Sequence, residues 1–128
     1  MMARSINRDR KLINQDLLLK VDAVCRDVTD HLPSGYRLAI FEGWRDPRQQ
    51  KALVDAGVSK TLHSRHNIRP AQAVDLMFQK KNLLLQWKWL SWKDVSDRWL
   101  RWLMSSKRSH GLAARGLDWD KPHCQIID

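Results

Sequence analysis

The chain has 128 residues, of which 43% are apolar and 29% charged, a composition typical of one globular domain with its own core. Its longest aliphatic runs, such as Leu83–Leu85, are far shorter than the roughly 20 residues of a membrane-spanning helix, so no such helix is expected. The net charge of +9 indicates an anionic partner or surface, and nucleic acid, anionic lipid and bacterial cell wall all meet that description.

The first half of the chain predicts a helix, a strand and a second helix. Apolar residues recur at helical spacing from about residue 7 to His31, and Pro33–Gly35 ends that helix. The β-branched and aromatic residues of Tyr36–Phe41 predict a strand. Asp46–Pro47 then supplies an N-cap and a first-turn proline for a helix that ends at Gly57.

The second half predicts two more strands and a third helix. A polar loop over Val58–Pro70 leads to a strand over Ala73–Phe78. Ser91–Asp94 has the sequence of a capping box, and the helix that it predicts ends at Gly111. A last strand is expected around Cys124–Ile127. This order of elements predicts an α+β fold, with helices packed on a small, mostly antiparallel sheet.

The tryptophans are concentrated in one stretch, since five of the seven lie in residues 87–102. Three of them are expected to share a helical face with Val95 and to pack in the core: Trp92, Trp99 and Trp102. The other two alternate with polar residues and are expected to be partly exposed, where they could grip glycan or rest at a membrane interface: Trp87 and Trp89.

The two cysteines, Cys25 and Cys124, could pair, but two reduced and buried thiols are the expected state of a cytoplasmic product. Cys124 directly follows His123. If that segment is a strand, the two side chains lie on opposite faces, so Cys124 is not expected to bind a metal together with His123.

Two short segments carry the residues with the most distinctive chemistry. His66 lies in the loop before the strand that contains Asp75, and His123 begins the last strand, three residues after Asp120. Two imidazoles and a carboxylate can hold a catalytic zinc ion, and a further carboxylate can act as general base. A lone histidine or aspartate is more often a surface residue, so the spacing alone leaves both interpretations open.

This arrangement resembles the signature motifs of the zinc peptidases of peptidoglycan. That family includes D-alanyl-D-alanine carboxypeptidases and dipeptidases and phage L-alanyl-D-glutamate endopeptidases. Its first motif, Ser-x-His-x-x-Gly-x-Ala-x-Asp, is matched by Ser64, His66, Ala73 and Asp75. Its second motif, an acidic residue followed three positions later by histidine, is matched by Asp120 and His123. A looser third element, an arginine after a strand, is matched by Arg45, and the matches together cover roughly residues 36–127.

The first motif departs from the family pattern in its length. Eight residues separate His66 from Asp75, whereas the family usually has six, and Ala71 takes the place of the glycine. A loop within residues 67–72 can absorb the difference and leave the motif residues in place. Alanine disfavours the positive φ that glycine allows, so the substitution restricts the shape of this loop. The departure therefore concerns the fit of the substrate more than the binding of the metal.

The resemblance implies a role for each matched residue. It implies one Zn²⁺ per chain with three protein ligands: His66, Asp75 and His123. Asp120 would be the general base that activates the attacking water and passes its proton to the leaving amine. Arg45 would hold the scissile carbonyl and stabilise the oxyanion. Ser64 and Gln49 would support the site or the substrate.

Simpler roles stay open for several of these residues. Arg45 could pair with Glu42 or Asp46 on the surface, and Asp120 could be a turn residue, with Asp118 as the alternative base. No catalytic role is expected for three further histidines, one in a loop outside the motifs and two at helix ends: His63, His31 and His110.

The resemblance implies a zinc-dependent endopeptidase that cuts the L-alanyl-D-glutamate bond of peptidoglycan stem peptides. A single catalytic domain over residues 1–128 is expected, with no separate wall-binding module. Small size, basic charge and the lack of a signal peptide are typical of an antimicrobial phage or prophage endolysin. Such an enzyme waits in the host cytoplasm and acts on the wall, in the periplasm, during host lysis.

The expected partner is peptidoglycan, and no nucleic-acid partner is expected. The chain is expected to be a monomer that does not insert stably into a membrane, although its charge suits contact with the anionic cell envelope. Three alternatives stay open. The chain could be a D-alanyl-D-alanine carboxypeptidase or dipeptidase with the same zinc site, or a zinc-binding but inactive relative. It could also be a basic nucleic-acid-binding protein whose histidines and aspartates are incidental.

Overall fold

The computed structural model describes residues 6–57, 64–113 and 123–125. The elements follow in the order α1 (Gln15–His31), β1 (Tyr36–Glu42), α2 (Pro47–Asp55), β2 (Ala73–Lys81), β3 (Trp87–Trp89), α3 (Asp97–Ser109) and β4 (His123–Gln125). Short 3-10 turns cover Arg10–Leu12, Arg65–Asn67 and Trp92–Asp94. No helix in these three ranges has both the length and the apolar character needed to cross a bilayer.

β2 is the central strand of the sheet and pairs antiparallel with each of the other three. β1 runs along one edge of β2. On the other edge β3 pairs with Gln79–Lys81 and β4 pairs with Ala73–Asp75, so these two short strands lie at opposite ends of β2. The small antiparallel sheet with helices packed on it confirms the α+β fold that the sequence predicts.

The core lies between α1, α3 and one face of the sheet. The buried residues of α1 follow helical spacing and form a continuous stripe: Leu17, Val21, Val24 and Val28. Val74, Leu76 and Phe78 alternate along β2, are fully buried and belong to the same apolar cluster. Because side chains alternate along a strand, Asp75 lies on the opposite face of the sheet from this core.

Two of the three tryptophans that were predicted to be core residues pack against the core. The rings of Trp99 and Trp92 have their centroids 5.4 Å and 6.3 Å from that of Phe78. Trp102 instead contacts the ring of His31 on α1, at 5.4 Å. Trp92 precedes α3, so the common helical face predicted for the three tryptophans is wrong.

Both cysteines are free thiols. Cys124 is buried in the apolar cluster, on the other face of β4 from His123, as the strand alternation predicts. Burial raises the pKa of the Cys25 thiol to about 12, so this thiol stays protonated and unreactive at neutral pH.

Two predicted helix starts are wrong. α1 begins at Gln15, later than predicted, because the Asn14 side chain accepts a hydrogen bond from the Leu17 amide and caps the helix there. Ser91 does not cap α3, since its hydroxyl donates to Asp94 within a 3-10 turn. The capping side chain of α3 is Ser96, which accepts from the Trp99 amide.

The strands also differ from the prediction. β2 continues to Lys81 because Gln79–Lys81 pairs with β3, a strand that the sequence analysis did not predict. β4 covers His123–Gln125, whereas the rest of the predicted last strand lies outside the described residues.

Phe78 carries the contact between the sheet and two tryptophans, so its truncation tests this core. Phe78→Ala is expected to lower the free energy of unfolding by about 3–5 kcal/mol, because it leaves a cavity beneath Trp92 and Trp99. Leu19→Ala, at a residue that is 70% exposed on α1, is the control and is expected to change it by less than about 0.5 kcal/mol. Urea unfolding followed by tryptophan fluorescence gives both values, and equal effects would contradict this assignment of the core.

Candidate metal site

Three elements bring two histidines and an aspartate together on the sheet face away from the core. His66 comes from the 3-10 turn before β2, Asp75 from β2, and His123 from β4, where it is the register partner of Asp75. Asp75 Oδ1 lies 3.3 Å from His66 Nε2 and 3.6 Å from His123 Nδ1. One ligand atom from each residue lies within 4.8 Å of the others, which is a grouping that could hold a metal ion.

The turn that carries His66 is held at both ends by side-chain hydrogen bonds. Ser64 Oγ accepts from the His66 amide at 3.2 Å, and Asn67 Oδ1 accepts from the Ser64 amide at 2.9 Å. Asn67 Nδ2 also donates to the Arg45 carbonyl at 2.8 Å, which ties the turn to the segment after β1. Ser64, which the resemblance gives a supporting role, therefore fixes the backbone from which His66 projects.

Each histidine has one ring nitrogen engaged by the protein and the other directed at Asp75. His66 Nδ1 lies 2.7 Å from the Gly43 carbonyl oxygen, which only accepts, so Nδ1 carries a hydrogen and Nε2 faces Asp75. His123 Nε2 lies 2.8 Å from Gln125 Oε1, so this nitrogen is the donor and Nδ1 faces Asp75. Such outer hydrogen bonds fix the tautomer and the ring orientation of a metal-ligating histidine.

Asp75 is anionic in this environment. Burial by itself would raise the pKa of its carboxyl, but the contacts and charge of His123 and His66 outweigh burial and hold that pKa well below its ordinary range. The site thus combines an anionic carboxylate with two imidazoles, each of which directs one ring nitrogen at the same carboxylate oxygen. This donor set, with its outer hydrogen bonds already made, fits Zn²⁺ and leaves a coordination position for water.

Arg45 lies beneath the site with 8% of its surface exposed. Its Nη2 and Nε donate to Glu42 Oε1 at 2.6 and 3.1 Å, and its Nη1 donates to Gln50 Oε1 at 2.6 Å. Nη2 also lies 3.4 Å from Asp75 Oδ2. Arg45 therefore does pair with Glu42, but in a buried network that reaches the Asp75 carboxylate, and not on the surface.

An irregularity in β1 places Glu42 in this network. The pairing of β1 with β2 shifts register between Ile40 and Glu42, and the extra residue brings Glu42 opposite Asp75. Glu42 is fully buried, so its charge requires the nearby guanidinium. From the sequence, Glu42 is only a possible surface partner of Arg45, because the register shift that buries it has no recognisable sequence signal.

Two further residues of the site were missed. Gln50 is fully buried and binds Arg45, whereas its neighbour Gln49, the predicted supporting residue, is half-buried. Lys107 of α3 is 2% exposed and donates from Nζ to the His123 carbonyl at 2.6 Å, which links α3 to the strand that carries this candidate ligand. The sequence does not single out Lys107, because a lysine in the last turn of a helix is ordinarily solvent-exposed and interacts favourably with the helix dipole.

The long segment between His66 and Asp75 does not disturb the site. Ala71 exchanges hydrogen bonds with the N-terminal segment, donating to the Leu12 carbonyl at 2.7 Å and accepting from the Asn14 amide at 2.9 Å. Among the described residues other than glycine, a positive φ occurs at Leu85 alone, so alanine fits position 71 without strain. The prediction that a loop absorbs the extra residues is confirmed.

Several predicted residues lie outside the described ranges. They include the proposed general base and its alternative, and one loop histidine: Asp120, Asp118 and His63. His31 and His110 lie at the ends of α1 and α3, as predicted, and their Nδ1 atoms contact backbone carbonyls of their own helices.

The fold and the cluster define a small α+β protein with a candidate metal site on the open face of an antiparallel sheet. Its structure is similar to that of L-Ala D-Glu endopeptidase ChiX from Serratia marcescens, with a TM-score of 0.56 and 21% sequence identity. The match covers 96% of this chain and 90% of that one. No protein-family model and no curated protein matches the chain. The resemblance inferred from the motifs is thus confirmed at the level of the fold.

Lys107→Met tests whether the buried lysine holds β4 in place. The variant keeps most of the side-chain volume but removes the donor to the His123 carbonyl, so the free energy of unfolding is expected to fall by about 1–3 kcal/mol. Arg101→Met, at an exposed position of the same helix, is the control and is expected to change it by less than about 0.5 kcal/mol. Urea unfolding measures both, and an unchanged Lys107→Met variant would contradict the role of this bond.

Proposed function

We propose that this protein is a zinc-dependent endopeptidase that cleaves the L-alanyl-D-glutamate bond of peptidoglycan stem peptides. The observation that carries the proposal is the convergence of His66, Asp75 and His123 on one sheet face. The likeness of the fold to an L-Ala D-Glu endopeptidase supports the choice of reaction. The net charge of +9 supports a polyanionic substrate such as the bacterial wall.

In this proposal the two imidazole nitrogens and the Asp75 carboxylate hold the metal. When bound, zinc supplies a Lewis acid that polarises the scissile carbonyl and lowers the pKa of water to about 7. Asp120, three residues before His123, accepts a proton from the attacking water at its carboxylate and gives it to the nitrogen of the leaving amine. The amine then leaves as a neutral group.

Arg45 acts through Asp75 in this proposal. Its contact with Asp75 Oδ2, and its bonds to Glu42 and Gln50, hold one carboxylate oxygen so that the other faces both histidines. Arg45 is therefore a residue that positions the Asp75 carboxylate. Direct binding of the substrate carbonyl by Arg45, and substrate contacts by Gln49, stay predictions from the resemblance.

Zinc binding tests the ligand set directly. His66→Ala is expected to weaken zinc binding by more than about 100-fold, because it removes one of three ligands, whereas wild type is expected to bind one Zn²⁺ per chain. His31→Ala, at a histidine remote from the cluster, is the control and is expected to bind zinc as wild type does. Calorimetry with ZnCl₂ gives both affinities. Equal zinc binding by the two variants would remove the basis of the proposal.

The general base is tested by separating zinc binding from activity. Asp120→Ala is expected to keep stoichiometric zinc and to digest purified sacculi at least about 100-fold more slowly, because the attacking water then lacks its proton acceptor. Asp118→Ala is the matched control and is expected to retain most of the activity. If the two results are exchanged, Asp118 is the base instead.

The masses of the fragments from the same digestion identify the bond. Cleavage between L-alanine and D-glutamate releases stem peptides that begin with D-glutamate. Loss of D-alanine alone would instead indicate the carboxypeptidase alternative. The nucleic-acid-binding alternative predicts no fragments, no stoichiometric zinc, and DNA binding that weakens steeply as salt concentration rises.

We further propose that the enzyme acts as a phage or prophage endolysin, reaching the wall from the host cytoplasm after a pore forms. Expression of the chain alone is expected to leave a bacterial culture intact, and coexpression with a phage pore-forming protein is expected to clear it. Coexpression of the His66→Ala variant with the same pore protein is the control. Culture turbidity measures lysis, and equal clearing by wild type and variant would exclude this role.

A further inference from the structure

The turn between β2 and β3 presents three consecutive leucines to solvent. Leu83 is 100% exposed, Leu84 78% and Leu85 74%, and we call these three residues the leucine tip. Exposed leucines are common singly, but a contiguous apolar group at the end of a hairpin marks an interaction surface. The leucine tip contributes nothing to the core of the protein.

The backbone of this turn is well ordered by hydrogen bonds to Asn82. Asn82 Oδ1 accepts from the amides of Leu84 and Gln86, both at 2.9 Å, and the Asn82 carbonyl accepts from the Leu85 amide at 3.0 Å. Leu85 has φ of 61°, a conformation that glycine or asparagine adopts more easily than leucine. The geometry of the turn therefore does not explain the leucine at position 85. The hydrogen bonds to Asn82 fix the turn backbone from which the three leucines project into solvent.

Cations surround the leucine tip. Lys80, Lys81 and Lys88 line a cleft of about 410 Å³ that Leu83 also borders. Residues 76–93 contain four lysines and no acidic residue. On β3 the Arg37 guanidinium and the Lys81 ammonium lie 4.0 Å and 5.0 Å from the centroid of the Trp87 ring. Apolar tip, aromatic ring and cations thus lie together at one end of the sheet.

This end of the molecule is far from the candidate metal site. Six residues of β2 follow Asp75 before the strand ends at Lys81, which corresponds to roughly 20 Å. The candidate metal site and the leucine tip therefore lie at opposite ends of β2 and have no residue in common.

We propose that the leucine tip docks on anionic lipid bilayers. The leucines enter the boundary between headgroups and acyl chains, and the three cleft lysines bind the lipid phosphates. A protruding apolar tip suits a fluid bilayer, which deforms around it, whereas a protein partner would need a matching cavity. The surrounding positive charge complements phosphate, and a tryptophan beside it suits the interfacial region.

Vesicle co-sedimentation of the full-length chain tests this proposal. Wild type is expected to bind vesicles of equal parts phosphatidylglycerol and phosphatidylcholine at least about tenfold more tightly than vesicles of phosphatidylcholine alone. The triple variant Leu83→Ser, Leu84→Ser, Leu85→Asn is expected to bind the anionic vesicles at least about tenfold more weakly than wild type. Leu19→Ser, at a similarly exposed leucine on α1, is the matched control and is expected to bind as wild type does.

A second pair of variants separates local from overall charge. Lys80→Gln, Lys81→Gln and Lys88→Gln together are expected to weaken anionic vesicle binding at least about tenfold. Arg26→Gln, Arg98→Gln and Arg101→Gln together remove the same charge from exposed helix positions and are expected to weaken it by less than about threefold. Binding that depends only on net charge, or that survives loss of the leucines, would overturn the proposal.

A protein partner for the leucine tip has a distinct outcome. If wild type forms a dimer in sedimentation analysis and the leucine variant does not, while neither binds vesicles, the tip binds a second copy and the lipid proposal is wrong. Vesicle binding requires neither zinc nor peptidase activity, so its failure and the failure of the peptidase proposal are measured separately.

Discussion

The register between β2 and β4 is the constraint on which the site depends. It places Asp75 opposite His123 on the face of the sheet away from the core, while Val74 and Cys124, the next pair along, are buried in it. A shift of one residue would exchange the two faces and bury the ligands in the apolar cluster. Core packing therefore selects the same register that assembles the candidate metal site.

Electrostatic interactions then determine the charge state of Asp75 in the candidate metal site. The Asp75 carboxylate faces two histidines on one side and Arg45 on the other, so its anionic form is favoured although it is largely shielded from water. Arg45 is in turn held by buried Glu42, and the two opposite charges compensate each other. The network keeps the candidate ligands in place and largely shielded from water, as a preorganised metal site would require.

The central strand separates two surfaces with different chemistry. At one end β4 pairs with β2 and the polar ligands converge, whereas at the other end β3 pairs with β2 and supports the leucine tip. Because a strand is stiff and extended, the two surfaces stay apart by about its length. This separation is consistent with the two proposals, in which the leucine tip contacts a bilayer and the candidate metal site stays accessible.

The sequence by itself determined the α+β class, most of the helix and strand positions, and the three residues that could bind a metal. These follow from periodicity, from capping residues and from short motifs, all of which act over a few neighbouring residues. Only the tertiary structure decided which side chains meet around the sheet: the burial of Glu42, the hydrogen bond from Arg45 to Gln50, and the contact of Lys107 with β4. These depend on strand register, on an irregularity in β1 and on the packing of α3, which bring together residues that are distant in sequence and carry no local signal.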